Sequence, residues 1–447
     1  MIDIRALEPL ETEEIDLFLA RLALPSPAPT DAARVDRLRA MERVKNALAA
    51  AQATETVAFD ASQRDRQIEA GFGEHRLGRG IADQVALARM ESPHKGSRLL
   101  GLARALIHEM PTCLAALMRG EVSEWRVTCV VRETAHLRVE DRAAVDADLG
   151  PRLHEMGDRQ AVGAARAMAQ RLDPAGAAGR AARAERERRV SIRPAPESMT
   201  YVTALLPMRD GVAVYAALTK LAQDAIAGGD ARGRGQLMAD SLIERVTGRA
   251  VGAVPITINL VMTDRSLLGG DCAPASVPGH GSIPTDIARS WIRATLSARV
   301  VPFQDLVTVR RLFTSPDGRD LVAMESTKRV FTGLLRHMLE LRDQTCRTPW
   351  CDAPVRHADH VHRSEDGGPT SYLNGRGTCA RCNHAREAPG WEATVTSAPD
   401  VTHEVALSTP TGHTYRSLAP SLVPGESLEG TGERVRSRAG PQESRAG

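Results

Sequence analysis

Between residues 31 and 52, apolar side chains recur every three or four positions, at Val35, Leu38, Met41, Val44 and Leu48, with charged residues between them. That spacing predicts an amphipathic helix, with Asp31 placed to cap its start. From Ile81 to Leu172 the same period returns in shorter runs, predicting helices over roughly 80–90, 97–109, 111–118, 123–136, 139–148 and 158–172. Ser92-Pro93, Pro111, Gly120, Gly150-Pro151 and Asp173-Pro174 interrupt them, which is the punctuation of a helical bundle with tight corners. Trp125, Cys129 and Met168 fall within these helices and read as core packing rather than as a ligand pocket.

After Pro174 the pattern changes. Residues 175–189 are rich in Ala and Arg and read as a helix or linker with a solvated mixed-charge face. Val190–Arg193 and Thr200–Leu206 predict a small hairpin, followed by helices near 210–226 and 234–247 and a strand over Pro255–Met262. Residues 264–288 predict an exposed loop, 285–298 a helix, 305–325 paired strands about the Ser315-Pro316-Asp317-Gly318 turn, and 328–342 a basic helix. Short strands are expected at 390–395 and 403–407, with a turn at 409–413. From about Ser421 the chain has almost nothing to bury, and disorder is expected.

The fold class on this pattern is α+β: a mainly α body with small β elements, then a small C-terminal module. The chain divides into an N-terminal segment 1–29, a helical domain 30–325, a module 326–418 and a tail 419–447. The 447 residues carry a net charge of only +2, so nucleic acid would have to be met by local patches rather than by bulk charge. Lys45, Lys95, Lys220 and Lys328 are the only lysines against abundant Arg and Ala, which points to codon usage before function. No signal-peptide core or membrane-length apolar run is present, and the seven cysteines do not form a secreted disulfide pattern, so a cytoplasmic location is expected.

Four of those cysteines change the picture. Cys346 and Cys351 are separated by four residues, Cys379 and Cys382 by two, and the two pairs bracket a segment too short to fold without a clamp. Four thiolates so spaced suit one tetrahedral Zn²⁺. Between and after the pairs stand Asp359, His360, Asn374, Asn383 and Arg386, none of which that zinc needs. A second metal site with a general base would account for them. His357, His362 and His384 read as solvated or supporting side chains.

The order D-H, G-G-P-T, Asn374, then C-x-x-C-N-x-x-R resembles the HNH nucleases of the ββα-metal type over Cys346 to about Pro389. The resemblance implies DNA phosphodiester hydrolysis. His360 would act as general base toward water, Asp359 and Asn383 would hold catalytic Mg²⁺ or Mn²⁺, Asn374 would brace the loop, and Arg386 would reach a phosphate. Many members have Lys where this chain has Arg386, and an Arg forks onto oxygens where a Lys acts as a point charge. The alternative from the cysteines alone is a non-catalytic, zinc-stabilised DNA-binding protein. Residues 30–325, through G-E-V-S-E-W-R-V, the D-P before the Ala/Arg helix and S-M-T-Y-V-T-A-L-L-P, resemble the 13E12-repeat family, a domain of unknown function found upstream of HNH modules.

Overall fold

The computed structural model describes residues 11–24, 30–249, 262, 266, 272–277, 281–297, 325–326, 330–398 and 401–420. The strands expected at 305–325 and most of that at 255–262, together with the tail from 421, lie outside the described residues. The chain is mostly helical with small sheets and forms two compact units, one of Met1–Ala70 with Arg98–Pro174 and one of Gly71–Ser97 with Ala175–Gly447.

The first unit is a helical bundle. Helix α1 (Thr12–Leu22) precedes α2, a single helix over Asp31–Glu69, whose start is capped by Thr30 Oγ1 accepting from Ala33 N at 3.2 Å. The helix runs well past the expected residue 52, because 53–69 contains neither Gly nor Pro. Its buried face is Asn46, Ala49, Ala50, Ala53, Thr56, Asp60 and Gln63, a stripe of small and polar residues, whereas Val35, Leu38, Met41, Val44 and Leu48 are exposed. Small side chains let neighbouring helices come close. At Gly120, positive in φ at +71°, a Cβ would lie 2.8 Å from the Arg43 Cα, and Asn46 Nδ2 donates to the Gly120 carbonyl at 3.3 Å.

The remaining bundle helices are the Arg98–His108 part of α4 (Pro93–His108), α5 (Pro111–Met118), α6 (Glu124–Thr134), α7 (Val139–Leu149) and α8 (Asp158–Leu172), close to their expected ranges. Leu106, Met110, Leu117, Val127, Val130, Val145, Leu149 and Leu153 fill the core between them. Cys129 is buried and Met168 packs against this core, but Trp125 is 52% exposed, so its place at helical spacing did not make it a core residue. Asp146 accepts from Thr112 N at 2.7 Å and Cys113 N at 2.9 Å, capping α5. Burial, with Asp146 adding to it, drives the Cys113 thiol far above its ordinary range, which makes it an inert core residue.

The second unit begins with α3 (Ile81–Ala88) and the start of α4 (Pro93–His108). After α9 (Pro174–Arg186), β1 (Arg189–Ala195) and β2 (Met199–Leu205) form an antiparallel hairpin, and α10 (Met208–Ala227) packs on α11 (Arg234–Thr247). Where a loop was expected at 264–288, β3 (Ala275–Val277) pairs with β4 (Gly281–Ile283), and Ala275 and Ile283 bury against Ala288 of α12 (Thr285–Ser297). Three-residue strands are too short for an alternation pattern to reveal.

At the C-terminal end, α13 (Gly333–Asp343) precedes β6 (His357–His360), β7 (Thr370–Ser371), β8 (Gly375–Thr378) and the short helix α14 (Ala380–Ala385). Strand β7 pairs with β5 (Glu325–Ser326). A three-stranded antiparallel sheet follows, in the order β11 (Thr414–Leu418), β10 (Glu404–Ser408), β9 (Glu392–Val395). Among the described residues no helix is long and apolar enough to cross a membrane.

Candidate functional site

Strands β6 and β8 run antiparallel, setting Asp359 opposite Arg376 and His360 opposite Gly375. The G-R-G-T sequence of β8 is what lets this hairpin sit on α13. A Cβ on Gly375 would lie 2.6 Å from Leu339, and one on Gly377 2.8 Å from Val355. The end of α13 pins the same strand through two fully buried residues. Arg342 donates to the carbonyls of Tyr372 and Gly375, both at 2.7 Å, and Asp343 accepts from Gly377 N. Burial alone would raise the Asp343 carboxyl, but Arg342 and Arg347 outweigh it and hold the group below its usual range.

Cys379 caps α14, its sulfur accepting from Cys382 N at 3.4 Å. The sulfurs of Cys346, Cys351, Cys379 and Cys382 all lie within 4.8 Å of one another, and all four residues are buried. Zinc–sulfur bonds of about 2.3 Å in a tetrahedron separate neighbouring sulfurs by about 3.8 Å. The Cys351–Cys379 and Cys351–Cys382 separations are 3.9 and 3.6 Å, so the group fits a metal ion such as zinc and is far too open for a disulfide. As free thiols the four compete for protons. Cys346 is drawn below the usual thiol range, chiefly by its hydrogen bond with Cys351, while Cys351 is pushed up, chiefly by its bond with Cys346.

Asp359, His360, Asn383 and Arg386 line one cleft of about 340 Å³, together with Phe331, Arg363, Glu365 and Glu387. Asp359 is held by its Oδ2, 2.7 Å from Arg386 Nη1 and 3.2 Å from Arg376 Nη2. His360 makes a 2.9 Å hydrogen bond from Nε2 to Thr370 Oγ1, and its ring lies 4.6 Å from that of Phe331 at 48°. Asn383 Oδ1 is 3.5 Å from Thr378 Oγ1.

Asn374 is buried away from that cleft wall and spans the 362–369 loop. Its Oδ1 accepts from His362 N at 2.8 Å, and its Nδ2 donates to the carbonyls of His362 at 2.9 Å and Pro369 at 2.8 Å. Arg386, expected to meet phosphate, is mostly committed to the protein. Besides Asp359 it donates to the carbonyls of His360 and Val361, and it tethers the end of α14 to β6. Burial, aided by Arg376, lowers it to about 10, so it stays cationic at neutral pH. His357, His362 and His384 are exposed.

The sequence pattern did not reveal Arg376, Thr370 or Phe331. For Arg376 a signal existed, since pairing His360 with Gly375 sets Asp359 against its neighbour; for Phe331 none did.

The domain of unknown function DUF222 matches residues 35–343, more than half of the 447-residue chain. This chain belongs to the DUF222 family. No curated protein and no solved structure matches it. The DUF222 match stops at Asp343, the last residue of α13, so the four cysteines and the polar residues of β6 and α14 lie beyond it.

Proposed function

We propose that this DUF222 protein is a metal-dependent HNH endonuclease that hydrolyses DNA phosphodiester bonds. The observation that carries this reading is the convergence of Asp359 and His360, from β6, with Asn383 and Arg386, from α14 and its end, on one cleft. A β-hairpin followed by a cysteine-anchored helix is the arrangement the HNH resemblance calls for, with Zn²⁺ on the four cysteines as a structural ion closed to substrate.

Asp359 and Asn383 would hold Mg²⁺ or Mn²⁺, which supplies Lewis-acid stabilisation of the charge that builds on the phosphate. Among the described residues the hydrogen bonds to Asp359 fall on Oδ2, so Oδ1 would be the oxygen offered to the cation. His360, whose Nε2 lies 2.9 Å from Thr370 Oγ1, would take a proton from the attacking water as the water oxygen bonds to phosphorus and the P–O bond to the leaving group breaks. Phe331 and Thr370 fix the ring plane. Asn374 holds the loop behind it, and Arg386 and Arg376 fix the Asp359 carboxylate.

From Cys346 to Trp391 six Arg stand against five Asp or Glu. DNA contact is then weak and tolerant of sequence. One observation favours a second reading, a non-catalytic zinc-stabilised DNA-binding protein: two guanidiniums already neutralise Asp359. Nicking of supercoiled plasmid by purified protein with Mg²⁺ or Mn²⁺ separates the two. Catalysis predicts nicking that falls by about 10²–10⁴ in His360→Ala, and equal behaviour of wild type and variant would end the nuclease reading.

A further inference from the structure

A six-residue helix does not hold its own place, because so short a segment cannot offset the cost of helix nucleation. The position of α14, and so of Asn383, is set by whatever grips it. The cysteines grip its start. Its outer side and far end are gripped by residues some 300 positions earlier in the chain, within the DUF222 match.

Arg79 Nη2 donates to the His384 carbonyl at 3.0 Å and pairs with Glu387 at 2.6 Å, placing a cation where the last carbonyls of α14 emerge. From α14 itself, Arg381 reaches back to Asp83 Oδ1 at 3.2 Å and Ser97 Oγ at 2.7 Å. Apolar packing joins these polar grips: Leu87 of α3 is buried with Ala388, Trp391, Val405 and Leu407. Gly80, positive in φ at +79°, permits the close approach, since a Cβ there would lie 2.8 Å from Trp391 Nε1.

We propose that residues 78–97 are a brace for the site helix, with Arg79 and Asp83 as positioning residues, so that the DUF222 part of the chain holds in place the helix that lines the C-terminal cleft. The catalytic consequence rests on the nuclease reading; the mechanical one does not. Arg79 acts at the end of α14 opposite the cysteines, Asp83 holds Arg381 between Cys379 and Cys382, and Asn383 lies between these two grips.

The test uses the full chain carrying Arg79→Ala, Arg79→Lys or Asp83→Asn, with three measurements: zinc per chain, amide hydrogen exchange over 380–387, and steady-state plasmid nicking. Expected are unchanged zinc, exchange faster by about tenfold in Arg79→Ala and Asp83→Asn, and partial recovery in Arg79→Lys. Nicking kcat should fall by about the same factor, with KM for DNA moving less than about twofold. Unchanged exchange in both Arg79→Ala and Asp83→Asn would discard the brace. Faster exchange with full kcat would reduce it to a stabilising contact. A wild type that does not nick removes the nuclease reading, and exchange then decides the brace alone.

Discussion

Arg386 Nη1 lies 2.7 Å from Asp359 Oδ2 and also donates to the carbonyl of His360, so one guanidinium spans the ligand and the base of the proposed site. The side chain is 7% exposed, which makes these charge-assisted bonds in a dry setting. Arg386→Ala leaves the Asp359 carboxylate to Arg376 alone and takes a donor from two carbonyls, and should cost about 3 kcal/mol in urea unfolding. Arg386→Lys recovers only part of that, since an ammonium does not fork onto three acceptors held at fixed angles. Equal stability of the Lys variant and wild type would show that the fork is dispensable.

Asn374 makes three side-chain hydrogen bonds to backbone atoms, and they all tie the 362–369 loop. Asn374→Ala leaves an N–H and two carbonyls to find water or go unpaired, at about 2–3 kcal/mol. Thermal unfolding should show the loss, with hydrogen exchange rising in 362–369 and zinc content unchanged. A loss of zinc in this variant would instead make Asn374 a support of the cysteine cluster.

Cys379 both contributes a sulfur and caps α14. In Cys379→Ser, or after chelation, the module would lose the ion proposed to close its ends, and metal binding in such small sites is folding energy. Metal analysis should give one tightly held zinc per chain in wild type and none in the variant. Limited proteolysis should then cut between 346 and 391 while the helices of the first unit survive.

The residues that line the cleft were easier to read than the contacts that support them. Cysteine spacing and the Asp359-His360 pair are local signals, and the helix boundaries of the bundle follow from Pro and Gly positions. The exposed face of α2 was not legible, because Ala49, Ala50 and Ala53 bury by small size rather than by hydrophobicity, while Val35 and Leu38 announce a core they do not enter. Nor was the Arg386 tether, since sequence shows a cation three residues after Asn383 and not which carbonyls reach it first. The α3 brace leaves no local trace, because Arg79 and Glu387 meet only after folding.

His403 supplies a pH dependence that the motif does not mention. The ring is 1% exposed, its Nε2 is 2.8 Å from the Leu373 carbonyl, and its Nδ1 is 3.4 Å from Arg347 Nη1, so it is neutral with the proton on Nε2. Burial pushes it down to about 3, with Arg342 and Arg347 adding to the effect. The unfolded chain takes up a proton at this residue below about 6.5 that the folded chain refuses, so its contribution to stability is complete above that pH and is lost as pH falls from about 6.5 toward the folded value, at about 1.4 kcal/mol per pH unit. His403→Gln keeps an N–H for Leu373 and does not titrate. Wild type should therefore lose about 2 kcal/mol more than the variant between pH 6.5 and about pH 5 in urea unfolding. Acid release of zinc affects both proteins alike, so the difference between their slopes isolates the imidazole, and parallel slopes would mean that this ring is already charged in the fold.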